Sequence, residues 1–146
     1  MRTAIVTHPI DAAALLSEVG SPAHGAISLF LGTVRETHEG RAVTGIDYTA
    51  YEAMAERELA RIVAEAVTLF DAPALVVEHR IGTLSVGEVS VAIVTAHGHR
   101  AAALDVTRFV IEQIKRSVPI WKREHYADGT REWVDPSTVR AVAANP

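Results

Sequence analysis

The sequence predicts an α+β fold of antiparallel sheet with two main helices. Three observations carry that expectation. Two long segments place apolar residues at helical spacing. Apolar runs of strand length fall before, between and after them. Several of these runs follow one another so closely that they read as hairpins rather than as crossovers. The chain has 146 residues with no repeat, low-complexity segment or internal linker, so residues 1–146 are read as one domain with a sizeable core.

The elements follow in chain order. Residues 2–7 read as a short strand. Asp11 is placed to N-cap a helix over about 11–19 that ends near Gly20. Ser21, Pro22 and Gly25 mark a loop. Ala26–Leu31 is a buried strand closed by Gly32, and residues 33–43, with Gly40 and several charges, read as a mobile loop. Residues 44–51 alternate in strand fashion. The clearest helix covers 52–70, with Ala55, Leu59, Ile62, Val63, Ala66 and Phe70 on one face. Asp71-Ala72-Pro73 breaks it. Leu75–Ile81 is a strand, Gly82–Gly87 a turn, and Glu88–Thr95 the returning strand. A second helix spans about 101–117, with Leu104, Val106, Phe109, Val110 and Ile114 on its buried side and Pro119 as its stop. Trp121–His125 leads to a turn at Asp128-Gly129, and Trp133-Val134 forms a last short strand. The Ala/Val-rich end, 135–146, has no period and reads as a flexible tail.

Composition narrows the function. No apolar run approaches the ~20 residues that cross a bilayer, and the N-terminal stretch lacks the continuous apolar core of a secretory signal. The expectation is a cytoplasmic protein without a membrane partner. A net charge of −4 argues against general nucleic-acid binding. There are no cysteines, which removes disulfides, thiolate metal sites and cysteine nucleophiles. The chain cannot carry sulfur as a persulfide, so any sulfur it handles arrives on a partner or a substrate. Of the 14 basic residues only two are lysines, Lys115 and Lys122. Where arginine is the default cation, a lysine marks a place for a compact ammonium whose pKa can be tuned, unless the choice is chance.

Four polar segments sit at element boundaries. Gly32-Thr33-Val34-Arg35 follows a strand and offers a close backbone approach and a planar guanidinium. His97-Gly98-His99-Arg100 opens a helix, where free N–H groups favour an anion. Lys115 lies in the last turn of that helix, where the dipole alone would also suit it. Pro119-Ile120-Trp121-Lys122-Arg123-Glu124 sets three charges behind an anchoring aromatic. Together Arg35, His99, Arg100, Lys115, Lys122 and Arg123 suit a phosphorylated, polyoxygenated substrate or a carboxylate terminus. A metal site at His97 and His99, with His79 or His125 added, is a weaker rival, and no metal or other resident cofactor is expected.

In their order and spacing these segments resemble the large, catalytic subunit of molybdopterin synthase. The resemblance runs from about Gly25 to Val134. Its carriers are Gly32-Thr33-Val34-Arg35, Tyr51-Glu52-Ala53-Met54-Ala55, His79-Arg80-Ile81-Gly82 with Val86-Gly87-Glu88, His99-Arg100, Lys115, Pro119–Glu124 and Trp133-Val134. It implies an α/β-hammerhead type of α+β fold. It also implies a homodimer in which each chain binds a small ubiquitin-like sulfur-carrier subunit, giving a heterotetramer. The carrier ends in a glycine thiocarboxylate, and two sulfurs pass to cyclic pyranopterin monophosphate to form the dithiolene of molybdopterin. By position, Lys115 and Lys122 match the family's catalytic lysines. Thr33, Val34, Arg35, His99, Arg100, Arg123 and Glu124 match substrate-binding segments, with Thr33 standing where the family commonly has lysine. His99 or Arg100 is a candidate to reach the pocket from the second subunit. The alternative is a non-catalytic anion-binding or regulatory module on the same fold.

Overall fold

The computed structural model describes residues 1–71 and 74–134. Apolar runs that are buried on both faces must sit at the centre of a covered sheet. Two segments of this chain have that character: β5 (Ala74–Arg80) and β7 (Val89–His97), each buried along nearly its whole length. They pair antiparallel at the centre of a four-stranded sheet ordered β1-β5-β7-β2, where β1 is Arg2–Val6 and β2 is Ala26–Thr33. The β1–β5 pair is parallel, the one exception to the antiparallel pairing expected.

Helices α2 (Glu52–Leu69) and α3 (Arg100–Ser117) cover one face of this sheet. Leu59, Ile62, Val106 and Val110 are fully buried there against Leu75, Val77, Val91 and Ile93. The other face is covered by α1 (Ala12–Val19), whose Leu15 and Val19 pack on Val76 and Val94. As predicted, Asp11 caps α1, accepting a hydrogen bond from the Ala14 amide at 3.1 Å. One helical expectation fails. Leu104 is 60% exposed, because Ala103 and Thr107 occupy the side of α3 that meets the sheet.

A second sheet, ordered β3-β4-β8-β9, is built from segments read in part as loops. Residues 33–43 are not a loop throughout. Glu39 and Gly40, both at positive φ (49° and 77°), turn β3 (Thr37–His38) directly into β4 (Arg41–Ala50). The supposed turn at 82–87 contains β6 (Gly82–Ser85), which leaves β5 to pair with β4. Residues 120–126 form a full strand, β8 (Ile120–Tyr126), between β4 and β9 (Arg131–Val134). These strands are hard to read because many of their residues face water, and the β4–β6 and β4–β8 pairings join segments far apart in sequence. Val34, Ile46, Tyr48 and Leu84 form the small core of this sheet. Gly32 does not end β2. It lies inside the strand, where a Cβ would come 2.6 Å from Val91 Cγ1, so packing rather than ligand approach accounts for the glycine.

No helix among the described residues is long and apolar enough to cross a membrane. Asp71 adopts a positive φ of 62° after α2. Ala72 and Pro73, the rest of the predicted break, lie outside the described residues, as does the tail 135–146.

Candidate active site

The pocket is made by the reversal between α3 and β8. Pro119 has no N–H and cannot continue a helix. α3 therefore ends on a bond from the Val118 amide to the Ile114 carbonyl at 3.2 Å, and the chain turns back at once as a strand. That reversal brings Lys115, in the last helical turn, over Lys122 on β8. Between them lies a cavity of about 210 Å³ whose walls include Tyr48, His79, Lys115, Pro119, Trp121 and Lys122. The Trp121 ring is held edge-on by Tyr51 at 4.9 Å.

Lysine crowding sets the electrostatics. Lys115 lies in a dense part of the protein but opens through the cavity to water. Burial, then the charges of Lys122 and Arg35, push its pKa below the ordinary lysine value. The carboxylate nearest to these cations is Glu124, only 2% exposed. Its Oε1 lies 3.7 Å from Lys122 Nζ and 3.7 Å from His38 Nδ1, and its Oε2 accepts a hydrogen bond from the Tyr126 hydroxyl at 2.9 Å. Burial and Glu124 push Tyr126 up to about 12, so it stays a phenol and a donor. The Arg41 guanidinium stacks 3.5 Å above its ring. Lys122 and His38 thus share one buried carboxylate, while Lys115 and Arg35 add further positive charge beside Lys122, an arrangement with positive potential to spare for an anion.

His79 is the neutral member of the wall. It is 3% exposed and its Nδ1 donates to the Arg80 carbonyl at 2.9 Å. Tyr48 meets its ring edge-on at 5.4 Å. Burial, with the charge of Lys115, pushes its pKa down to about 4, so the ring is uncharged at neutral pH.

The predicted site residues divide into three groups. Lys115, Lys122 and Arg35 converge, Arg35 making itself felt through its field on Lys115. Thr33 is exposed at a bulge of β2, while Val34 is buried in the second core and anchors that segment. Along β8 the side chains alternate. Lys122 and Glu124 share the pocket face, with Glu124 beneath the lysine. Arg123 turns the other way and binds Asp47 through Nη2 at 2.7 Å and Nε at 3.1 Å. His99 and Arg100 begin α3, whereas Lys115 is near its end, roughly 22 Å along the helix axis at the usual rise. One chain does not bring them to the lysines. His97 uses both ring nitrogens locally, donating to the Phe70 carbonyl at 3.0 Å and accepting from the His99 amide at 3.3 Å. That leaves no lone pair for a metal.

Tyr48, His79 and Trp121 were not assigned to the pocket from sequence. The His79-Arg80-Ile81-Gly82 motif was visible, but nothing in its spacing says that the end of β5 lies beneath the end of α3.

Comparison with known proteins places the arrangement. A family model described as MoaE protein matches residues 5–117. The molybdopterin synthase catalytic subunit of Oryza sativa subsp. indica is 43% identical over 141 residues, covering 93% of this chain and 73% of the relative. The crystal structure of molybdopterin synthase from Staphylococcus aureus superposes with a TM-score of 0.86 at 33% identity, covering 90% of this chain and 96% of that one. A complex of subunits 1 and 2 of molybdopterin-converting factor from Helicobacter pylori gives a TM-score of 0.75 at 25% identity, covering 91% and 90%.

Proposed function

The chain belongs to the MoaE family of molybdopterin synthase catalytic subunits, and from that premise we propose that it transfers two sulfurs from a small ubiquitin-like carrier to cyclic pyranopterin monophosphate, forming the dithiolene of molybdopterin. The observation that carries the reading is that Lys115 and Lys122 line one cavity, with Arg35 close enough for its charge to bear on Lys115 and the buried Glu124 carboxylate 3.7 Å from Lys122. A carrier thiocarboxylate and a substrate phosphate are both anions, and such a pocket attracts both. The absence of cysteine agrees with sulfur that rides on the partner.

In this reading Lys115 orients the thiocarboxylate and steadies charge as its acyl carbon–sulfur bond breaks. Its lowered pKa also makes proton transfer by the amine easier near neutral pH. Lys122, held by Glu124, faces the substrate on which the new carbon–sulfur bond forms. The two-subunit Helicobacter pylori complex supports a small-subunit partner.

A homodimer within a heterotetramer completes the proposal. Among the described residues β2 is an edge strand, and it exposes Ile27 (50%) and Leu29 (40%), an apolar strip suited to a second copy. Such a copy would also provide the route by which His99 and Arg100 reach a pocket that their own chain keeps out of range. The reaction is assigned to the cytoplasm.

The test is dithiolene formation from cyclic pyranopterin monophosphate and pre-thiocarboxylated carrier. Lys115→Ala is expected to lower turnover about 100-fold or more. Near-normal turnover overturns the assignment.

A further inference from the structure

The pocket wall is rich in donors: two ammonium groups, an indole N–H and a phenol. His79 is the exception. Its Nδ1 is 2.9 Å from a carbonyl oxygen, which has no proton to give, so the proton sits on Nδ1 and Nε2 is left with a lone pair. Among the described residues no hydrogen bond reaches that lone pair. The groups packed around the ring leave it one direction of interest. Tyr48 of β4 meets it edge-on, the neighbouring strands supply Ile5 and Val91, and α3 brings the charge of Lys115 across the cavity that the ring lines. A buried acceptor at the edge of a cavity is satisfied by a donor that enters the cavity.

A neutral acceptor beside an ammonium is a recognisable pair. The last residue of a polypeptide presents an anion and an amide N–H on the same α-carbon, so both ends can be held by two side chains across a small pocket. We propose that His79 is a specificity-determining residue for the carrier: its Nε2 accepts a hydrogen bond from the amide N–H of the carrier's C-terminal glycine while Lys115 engages the terminal anion. The inference rests on the reading of Lys115 as the group that meets the thiocarboxylate. It adds a contact to the backbone of the tail, which a pocket of cations alone would not make.

The experiment compares two semisynthetic carriers that differ by one atom. One ends in Gly-Gly. In the other the final glycine is replaced by glycolic acid, so an ester oxygen stands where the amide N–H was and the terminal anion is kept. The chain is expected to bind the amide carrier about fivefold more tightly than the ester carrier, the value of one neutral hydrogen bond. His79→Leu is expected to remove that preference, and His79→Gln, which returns an acceptor near the Nε2 position, to restore part of it. Equal binding of the two carriers by the unsubstituted chain overturns the inference without any variant having to fold. A preference that survives in His79→Leu overturns it too. Failure of the chain to bind the amide carrier at all overturns the functional reading itself, and the inference with it.

Discussion

The two faces of β8 both carry charged residues and do opposite things. On one face Arg123 and His125 close on Asp47, whose carboxylate also accepts from Thr83 at 2.8 Å; His125 Nε2 lies 2.8 Å away. Burial works against that carboxylate, but the bonds from Arg123 and Thr83 and the close His125 ring more than offset it and hold its pKa well below the usual range. On the other face Lys122 shares Glu124 with His38 and stands beside Lys115 and Arg35, with cation in excess. The saturated face stabilises the sheet. The unsaturated face has charge left for a ligand. Balance of charge, rather than its amount, separates structure from site.

Removing Glu124 should break this contrast most severely. Glu124→Ala leaves the buried Tyr126 hydroxyl without its acceptor and Lys122 without its counter-charge, and is expected to cost about 3–4 kcal/mol in urea unfolding. A loss under about 1 kcal/mol would show that water replaces the carboxylate with ease.

Acid should separate the pocket wall from the Asp47 cluster by their pH windows. The His79 pKa is depressed from its ordinary 6.5 to about 4, so the neutral ring is favoured in the folded state. Stability from this source is complete above 6.5 and falls by about 3 kcal/mol as pH drops toward 4. His79→Gln should flatten that part of a stability-against-pH curve, and an unchanged slope would contradict the buried neutral ring.

Asp47→Asn tests the opposite face. Its expected cost is about 2 kcal/mol at neutral pH, with dithiolene formation within about twofold of the unsubstituted chain. Because the folded Asp47 pKa is depressed, its contribution is complete above the usual carboxylate value of ~4 and is lost as pH falls further. The stability gap between the two proteins should therefore close only in that lower window. A large loss of turnover would mean that the faces are coupled. Trp133→Ala, which removes an exposed ring 5.4 Å from the Arg123 guanidinium, should cost the least, ~0.5 kcal/mol by thermal unfolding, with no change in turnover.

Much of the first sheet and its helices was legible because their residues repeat a period. The helix over 52–69 shows its buried stripe in the sequence, and β5 and β7 each carry a run of apolar residues buried on both faces. The second sheet was less so. β3 is only two residues long and joins β4 through the Glu39-Gly40 turn, and β6 is short, largely exposed and paired with β4 from far along the chain, a partner that no local pattern announces. The site divides likewise. Lys115 and Lys122 stand out as the chain's two lysines, whereas the opposite turning of Arg123 and the approach of His79 are invisible without the strand register.

What depends on neighbours along the chain was already in the sequence: the Asp11 cap, the stripes of α2 and α3, the stop at Pro119, and the absence of any cysteine that could carry sulfur. Only the tertiary structure decided which charges meet. Lys115 and Lys122 became a pair because Pro119 reverses the chain between them. Arg123 left the site because a strand sends successive side chains to opposite faces, and His79 joined it because β5 ends beneath the last turn of α3. Charge interactions depend on distance and burial, and neither quantity exists until the sheets have closed.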